Sequence, residues 1–332
     1  MEMFRFVKAA DVSQAIAAGA QAKTAQQGAE VRFIAGGTTL LDLMKLNVER
    51  PSQVVDINRL PLDKVERLAD GRLKIGALVR NSDLAHDAAV VKDYAVLSQA
   101  LLSGASGQLR NMATTGGNLL QRTRCLYFRN EAMACNKREP GSGCSAIEGE
   151  NRTLAILGTS KDCIATNPSD MNVALTALEA VIHIQGVKGE REVAIGDFFL
   201  MPGSTPERET VLEPGDLITH VTLPAPRGNA KQIYLKLRDR ASYEFALASA
   251  AVVVEVTAGK VSYARVALGG VGTKPWRSLE AEKVLLHGAV GEAHFRAAAE
   301  AALKGARAQS ENGFKVELAK RCLTHALVVA AG

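Results

Sequence analysis

Arg110-Asn111-Met112-Ala113-Thr114-Thr115-Gly116-Gly117-Asn118 opens the stretch on which the reading of this chain turns. Four cysteines follow, Cys125, Cys135, Cys144 and Cys163, and Asn167-Pro168-Ser169-Asp170 closes the stretch. Small residues with free backbone N–H groups suit a phosphate, and thiolates suit a soft metal. Finding both within one stretch points to a redox protein with two prosthetic groups.

The cysteines are separated by 9, 8 and 18 residues. A structural zinc ribbon shows tight pairs two to four residues apart, and there are none here. Wide spacing lets a loop wrap a larger inorganic core, as a 4Fe–4S cube requires from four thiolates. Pro140-Gly141-Ser142-Gly143 lets the backbone bend between them, bringing amides near sulfur, and Lys137 and Arg138 offset thiolate charge. On the residues alone a metal centre, buried structural cysteines and disulfides all stay open. Cys322 lies in a helical pattern with apolar neighbours and reads as core packing.

A second glycine turn lies upstream, Phe33-Ile34-Ala35-Gly36-Gly37-Thr38-Thr39-Leu40. It follows a short apolar strand and leads into a helical run, the arrangement that aims helix amides at an anion. A tight turn between packed elements explains it equally well. It is neither a Walker loop nor the GxGxxG dinucleotide fingerprint. Thr114 and Asn118 add donors to the downstream loop, whose Gly116 and Gly117 permit close backbone approach. Two such loops can grip the two phosphates of one dinucleotide. Asp170 falls in a helix first turn, as a dipole-favoured carboxylate or an acceptor for sugar hydroxyls. Lys236-Leu237-Arg238-Asp239-Arg240 is a charge cluster closing a strand, a solvated edge or a cation near an electron-rich ring or phosphate. No Ser/His/Asp set and no HExxH occur, and the six histidines are scattered away from the loops.

Around these motifs the pattern predicts an α+β chain. Strands are expected at 4–7, 31–35 and 54–57, the last parallel to the first, with helices at 11–26 and 40–46. A hairpin spans 64–79, and Asn81 or Ser82 caps a helix over 83–88 before another at 93–104. Residues 104–111 read as turn-like, 154–157 as a strand, and 168–180 as a helix capped by Ser169. Strands at 181–184, 192–195 and 217–223 precede a boundary at 224–229. Beyond it lie strands at 233–237, 246–256 and 261–268, then a helical tail from Trp276. The expected division is a front domain over 1–225, split into 1–57 and 58–225 with the cysteine insert at about 120–165, and a C-terminal domain over 226–332.

The 332 residues are 47% apolar and 23% charged, an ordinary globular profile. Net charge is +5 and dispersed; the richest run, 122–138, reads as a solvated surface or as part of a zinc-dependent nucleic-acid-binding module. No apolar run approaches the ~20 residues of a spanning helix. The N-terminal pattern is not that of a signal peptide, which implies a cytoplasmic protein or one exported alongside a partner.

Together, the Phe33-Ile34-Ala35-Gly36-Gly37-Thr38 turn and the Arg110-Asn111-x-Ala-Thr-x-Gly-Gly-Asn118 loop resemble the FAD-binding medium subunits of molybdenum hydroxylases, the xanthine dehydrogenase and aldehyde oxidoreductase group. The resemblance spans essentially the whole chain, including Pro168-Ser169-Asp170 and Leu217-Ile218-x-x-Val-x-Leu-Pro224. Gly104-Ala-Ser-Gly-Gln-Leu-Arg-Asn111 and Asn118-Leu-Leu-Gln-Arg-Thr-Arg-Cys125 narrow it to the FAD subunits of bacterial periplasmic aldehyde oxidoreductases, which carry an extra 4Fe–4S cluster. The fold implied is a two-part FAD domain, a small α/β subdomain plus a larger mixed-sheet subdomain, followed by antiparallel strands and a helical bundle. The resemblance implies that Phe33, Ile34, Ala35, Gly36, Gly37, Thr38, Thr39 and Leu40 wrap the FAD pyrophosphate. It places Thr114, Gly117 and Asn118 at phosphate, Asp170 at sugar or ribityl hydroxyls, and Ile218 and Lys236 near the flavin. It implies that Cys125, Cys135, Cys144 and Cys163 ligate the cluster. Gly104 stands where many relatives place an aromatic residue over the flavin, and Tyr243 is a candidate to cover that face instead. The implied function is electron transfer within a heterotrimer. A large molybdenum-cofactor subunit oxidises an aldehyde, a small 2Fe–2S subunit relays electrons, and this FAD passes them to an external acceptor. A stand-alone FAD oxidoreductase remains the other enzyme reading.

Overall fold

The computed structural model describes residues 1–332 and contains three sheets. The first is small and parallel, with strand order β1-β3-β2: β1 (Arg5–Lys8), β2 (Val31–Ile34) and β3 (Gln53–Asp56). The expected parallel pairing of the first and third strands is present, with Phe6 opposite Val54. Helix Val12–Gly19 crosses between β1 and β2, capped by Asp11, whose carboxylate accepts from the Gln14 amide at 2.8 Å. The pattern predicts that helix as far as residue 26, yet it stops at Gly19. A Cβ at Gly19 would crowd the Phe33 ring. The chain then turns so that the Gln26 side chain donates to the carbonyls of Thr210 (3.1 Å) and Leu212 (2.7 Å). That distant anchor, absent from any local pattern, outweighs alanine's helix propensity.

The second sheet has order β4-β5-β8-β6-β7, built from β4 (Val65–Arg67), β5 (Leu73–Gly76), β6 (Val181–Gly186), β7 (Gly189–Ala194) and β8 (Leu217–Leu223). Where a mixed sheet was expected, every ladder is antiparallel. Ile182, Ile184 and Val221 turn into a core shared with helices Ala95–Ser103 and Asp170–Ala177. His183 and His220, two of the scattered histidines, stack on the other face with ring centroids 3.9 Å apart. Burial, then the neighbouring His183, pulls the His220 pKa down to about 4. Helix Asn81–His86 starts without the expected side-chain cap, since Arg80 occupies that position. Residues 104–111 are not a simple turn either: Ser106 caps a helix over Gly107–Met112.

The third sheet is antiparallel, ordered β12-β11-β10-β9: β9 (Lys231–Leu237), β10 (Ala248–Thr257), β11 (Lys260–Gly269) and β12 (Trp276–Arg277). Trp276 therefore belongs to a short fourth strand rather than opening the helical tail. Alternate residues of β10 serve two cores. Ala251 and Val253 face the helix Asp170–Ala177 side, whereas Ala250, Val252 and Val254 face the three C-terminal helices. Buried on both faces, the strand reads as an unbroken apolar run. Helix Asp170–Ala177 is buried at every position, wedged among the second and third sheets and helix Ala95–Ser103. Cys322 is buried among the C-terminal helices, as its neighbours imply. No helix is long and apolar enough to cross a membrane.

Residues 154–157 are buried but form no strand. The Ala155 amide bonds Ile164 O, and those of Ile156 and Leu157 bond Val271 O, each at 2.9 Å. Lys315, fully buried on the last helix, donates to the carbonyls of Thr153 (2.9 Å), Leu154 (2.8 Å) and Gly270 (2.5 Å). Burial pulls its pKa down to about 7, against three acceptors that favour the charged form. Lys315→Met would leave three buried carbonyls without that donor. The expected loss is about 3 kcal/mol of unfolding free energy, read by denaturant titration; a loss below roughly 1 kcal/mol would show the cage to be dispensable.

Candidate functional site

The first glycine loop runs from the end of β2 into helix Leu40–Lys45. Gly37 sits at φ +71, a left-handed conformation that favours glycine. The backbone amides of residues 36–40 take no hydrogen-bond partner within the protein. Thr39 occupies the cap position but makes no side-chain capping bond. The result is a row of unpaired donors, the chemistry of an anion nest.

The second loop lies against the first. A Cβ built on Gly36 would overlap the Met112 carbonyl, so the two loops meet backbone to backbone. Arg80 holds that contact from below, donating to Met112 O and, at 3.1 Å, to Asn58 Oδ1. Asn58 in turn donates to Ala35 O at 3.0 Å. The second loop is docked on the end of β5 by Thr115 N to Val79 O (2.9 Å) and Gly116 N to Ala77 O (2.8 Å). It is partly helical: Thr114 caps Thr115–Leu119, accepting from Gly117 N at 3.2 Å.

Both loops line one cleft, reached by residues 33–40, Ala113, Thr114 and Gly117. Its lining runs from residues 33–40 past Ala113, Thr114 and Gly117 to Asn167, Pro168 and Phe199, so one ligand in it meets both loops. The wall away from the loops is a buried ionic network. Arg122 donates to Glu49 and Glu209, each at 2.5 Å, and Lys137 Nζ donates to Glu209 Oε1 at 3.0 Å. Arg32 Nε reaches Glu49 at 2.9 Å. Arg122 Nη2 is buried with no partner, an orphaned donor in a cleft wall. Burial pushes the Glu209 carboxyl up, but Arg122 and Lys137 outweigh it and hold the group at about 2.

Asp170 lies beyond the cleft, one turn from Pro168 in its wall. Its carboxylate is buried, accepting from Tyr234 Oη at 2.5 Å and Lys236 Nζ at 2.8 Å. Lys236 also donates to Ser103 O at 3.1 Å. Gly104 completes this group, since a Cβ there would come 3.2 Å from Asp170 Oδ2. Burial, then the Asp170 charge, raises the Tyr234 pKa well above its ordinary value. Asn118 bridges the two places: its Oδ1 accepts from Ser169 Oγ at 2.8 Å, and Ser169 caps the Asp170 helix. Ile218 stands apart, buried in the core on β8 opposite Ile184. Tyr243 is exposed with φ +53.

All four clustered cysteines line one small cavity and share a core with Phe128, Leu154 and Ile164. All are free thiols, as is Cys322. Cys135 and Cys144 face each other across an antiparallel bridge, and Gly141 and Gly143 take positive φ between them. Backbone amides point at sulfur: Phe128 and Tyr127 at Cys125, Ala146, Ile147 and Ile164 at Cys144. Ala165 N lies 3.5 Å from Cys163 Sγ. Burial pushes the Cys125 thiol up to about 12 and raises Cys144 and Cys163. No three His, Cys, Asp or Glu side chains converge as a single bound ion would need.

The zinc-dependent nucleic-acid reading finds no support. The basic run it relied on is occupied internally: Arg122 and Lys137 by Glu209, Arg124 and Arg129 by Asp42, Arg138 by the carbonyls of Tyr127 and Phe128. Sequence reasoning missed Glu49, Arg122, Glu209, Arg80 and Tyr234. Only Tyr234 had a local signal, sharing a strand face with Lys236 two residues on. The network's partners lie 73 and 87 residues apart in the chain.

The family described as the FAD binding domain in molybdopterin dehydrogenase matches residues 2–226, and the CO dehydrogenase flavoprotein C-terminal domain matches residues 233–329. The chain is 52% identical to the aldehyde oxidoreductase FAD-binding subunit PaoB of Escherichia coli (strain K12), covering 93% of this chain and 94% of that one. It is 29% identical to the glyceraldehyde dehydrogenase medium chain of Sulfolobus acidocaldarius, over 84% of this chain and 80% of the other. Among solved structures, a chain of the carbon monoxide dehydrogenase from Hydrogenophaga pseudoflava superposes with a TM-score of 0.77 at 26% identity, covering 99% and 97% of the two chains.

The Glu209 carboxyl carries a pH prediction. Its folded pKa of about 2 lies below the ordinary 4.5, so the network's contribution is present above pH 4.5 and is lost as pH falls toward 2. Glu209→Gln should flatten the acid limb of a stability-versus-pH curve in that window. An unchanged limb in the variant would show that Glu209 does not titrate there.

Proposed function

The chain belongs to the FAD-binding medium subunits of the molybdenum hydroxylases, and on that premise we propose that it is the flavin subunit of an aldehyde-oxidising complex. The partners are a large molybdenum-cofactor subunit and a small 2Fe–2S subunit, and the electrons leave to an external acceptor. The relative named as an aldehyde oxidoreductase subunit, similar over nearly the full length, supports the substrate class. A stand-alone flavoenzyme is disfavoured because the similar proteins are named as subunits or medium chains of larger enzymes.

The observation that carries the reading is the row of unpaired amides at residues 36–40 where the two loops touch. These amides, with Thr114, Gly117 and Asn118, would hold the FAD pyrophosphate by the partial charges of backbone dipoles. Asp170 would accept from ribityl or sugar hydroxyls. Lys236, held by Asp170, would present a fixed cation beside the ring, with Gly104 leaving that face open. The flavin, when bound, supplies the redox chemistry, and these residues bind it, orient it and set its electrostatic surroundings. Ile218 contributes packing behind the site. Cys125, Cys135, Cys144 and Cys163 would hold a 4Fe–4S cluster. Four thiols around one cavity and backbone donors at sulfur support that reading.

The purified complex is expected to show flavin absorption over a broad iron–sulfur band. Gly36→Ala should lower FAD retained per chain at least about tenfold, since its methyl cannot fit against Met112 without parting the loops; retention at the normal level would remove the loops from the site. Cys135→Ser should lower iron per chain, and full iron retention would refute the ligand assignment.

A further inference from the structure

The cleft and the cysteine cavity share a wall. Lys137, Cys163 and Ala165 line both. Two routes cross from one to the other. Along the backbone, Cys163 and Ala165 lead directly to Thr166, Asn167 and Pro168 in the cleft wall, and then to Ser169 and Asp170. Through side chains, Lys137, two residues from Cys135, donates to Glu209 (3.0 Å) and Pro206 O (2.8 Å). Glu209 binds Arg122 (2.5 Å), Arg122 binds Glu49 (2.5 Å), and Glu49 binds Arg32 (2.9 Å) on β2. The strand that carries Arg32 ends at the glycine loop. Arg122 also stacks 4.6 Å above Phe128, which is packed among the cysteines.

We propose that the cysteine centre and the FAD site are coupled through this wall, with Lys137 and Glu209 as positioning residues, so that a chain without its iron holds FAD less tightly. The inference rests on the reading that the cleft takes FAD and the cysteines take an iron–sulfur cluster. The physical ground is the composition of the insert. Its apolar core is small, and three of its buried members are Cys125, Cys135 and Cys163 themselves. Once the metal no longer ties those residues, the segment carrying Lys137 and Ala165 keeps hydrogen bonds such as Asn136 to Asp162 O and Arg138 to Tyr127 O but loses the centre of its core, and its register loosens. Lys137 is the cation that balances Glu209 from the insert side. When it moves, a partly buried carboxylate and a partly buried arginine lose their arrangement at the cleft wall, a costly change where water is mostly excluded. Coupling is reciprocal, so FAD must also favour the metal-loaded insert.

The test uses the purified complex as wild type, Cys135→Ser and Lys137→Met. Flavin fluorescence follows FAD release on dilution, and a chemical assay gives the iron of this chain, counted beyond that of the partner's 2Fe–2S centres. Cys135→Ser should lose iron and release FAD at least about tenfold faster, within the usual range of coupling between sites. Lys137→Met should keep its iron yet release FAD about five- to tenfold faster. Adding FAD to deflavinated complex should shift the electron paramagnetic resonance of the reduced cluster in wild type and leave it unshifted in Lys137→Met. A general loss of stability would not produce that pattern. Cys135→Ser that has lost this chain's iron yet shows wild-type FAD release, or Lys137→Met with wild-type release and a wild-type resonance shift, overturns the proposal. Should Cys135→Ser fail to fold, wild type stripped of iron by a chelator replaces it under the same criteria. Wild type with no iron beyond the partner's 2Fe–2S centres, or Cys135→Ser with the full wild-type iron, instead overturns the cluster reading on which the coupling stands.

Discussion

The approach of Gly36 to the Met112 carbonyl is the contact on which the site depends. It brings a loop from the parallel sheet against a loop seated on the antiparallel one, leaving no room for a side chain between them. Because the backbones touch, unpaired amides from residues 36–40 and the Thr114 turn face one cleft. Arg80 and Asn58 hold the approach, Arg80 donating to Met112 O and to Asn58, and Asn58 donating to Ala35 O and the Asp56 carboxylate. A rigid junction of this kind positions donors before the ligand arrives, which lowers the ordering cost of binding.

Around that junction the architecture distributes separate tasks. The wholly buried helix Asp170–Ala177 fixes the Asp170 carboxylate where Tyr234 and Lys236 can hold it. The third sheet supplies those two partners from β9 and is itself backed by the C-terminal helices. Lys315 ties the last helix to the chain leaving the cysteine insert. The cysteine segment is therefore anchored on one side to the C-terminal helices and on the other to the cleft wall.

Much of the organisation was legible in the amino-acid order. Most of the strands, the parallel pairing of residues 4–7 with 54–57, the Ser169 cap and the last three helices follow from periodicity and capping chemistry. So do the two glycine loops and the clustered cysteines. The misreadings came where a distant partner overrode a local preference. Gln26 bound the 210–212 backbone and ended a helix early; Leu154 and Ala155 gave their carbonyls to Lys315 and Asn312, Ile156 and Leu157 gave theirs to the amides of Arg307 and Thr273, and the segment formed no strand. The turn-like residues before Met112 became helix because Ser106 offered a cap that their glycines concealed.

What the sequence by itself determined was the chemistry on offer: small residues with free amides in two places, four thiols in one segment, and the strand and helix periods that carry them. These are local properties, set by side-chain volume, backbone freedom and spacing. Only the tertiary structure decided that the two loops touch, that Ile218 faces the core while Tyr234 joins Asp170, and that Glu49, Arg122, Glu209 and Lys137 meet in one buried network. Those arrangements depend on residues far apart in the chain, whose charges have no reason to pair until burial removes the water that would otherwise solvate them.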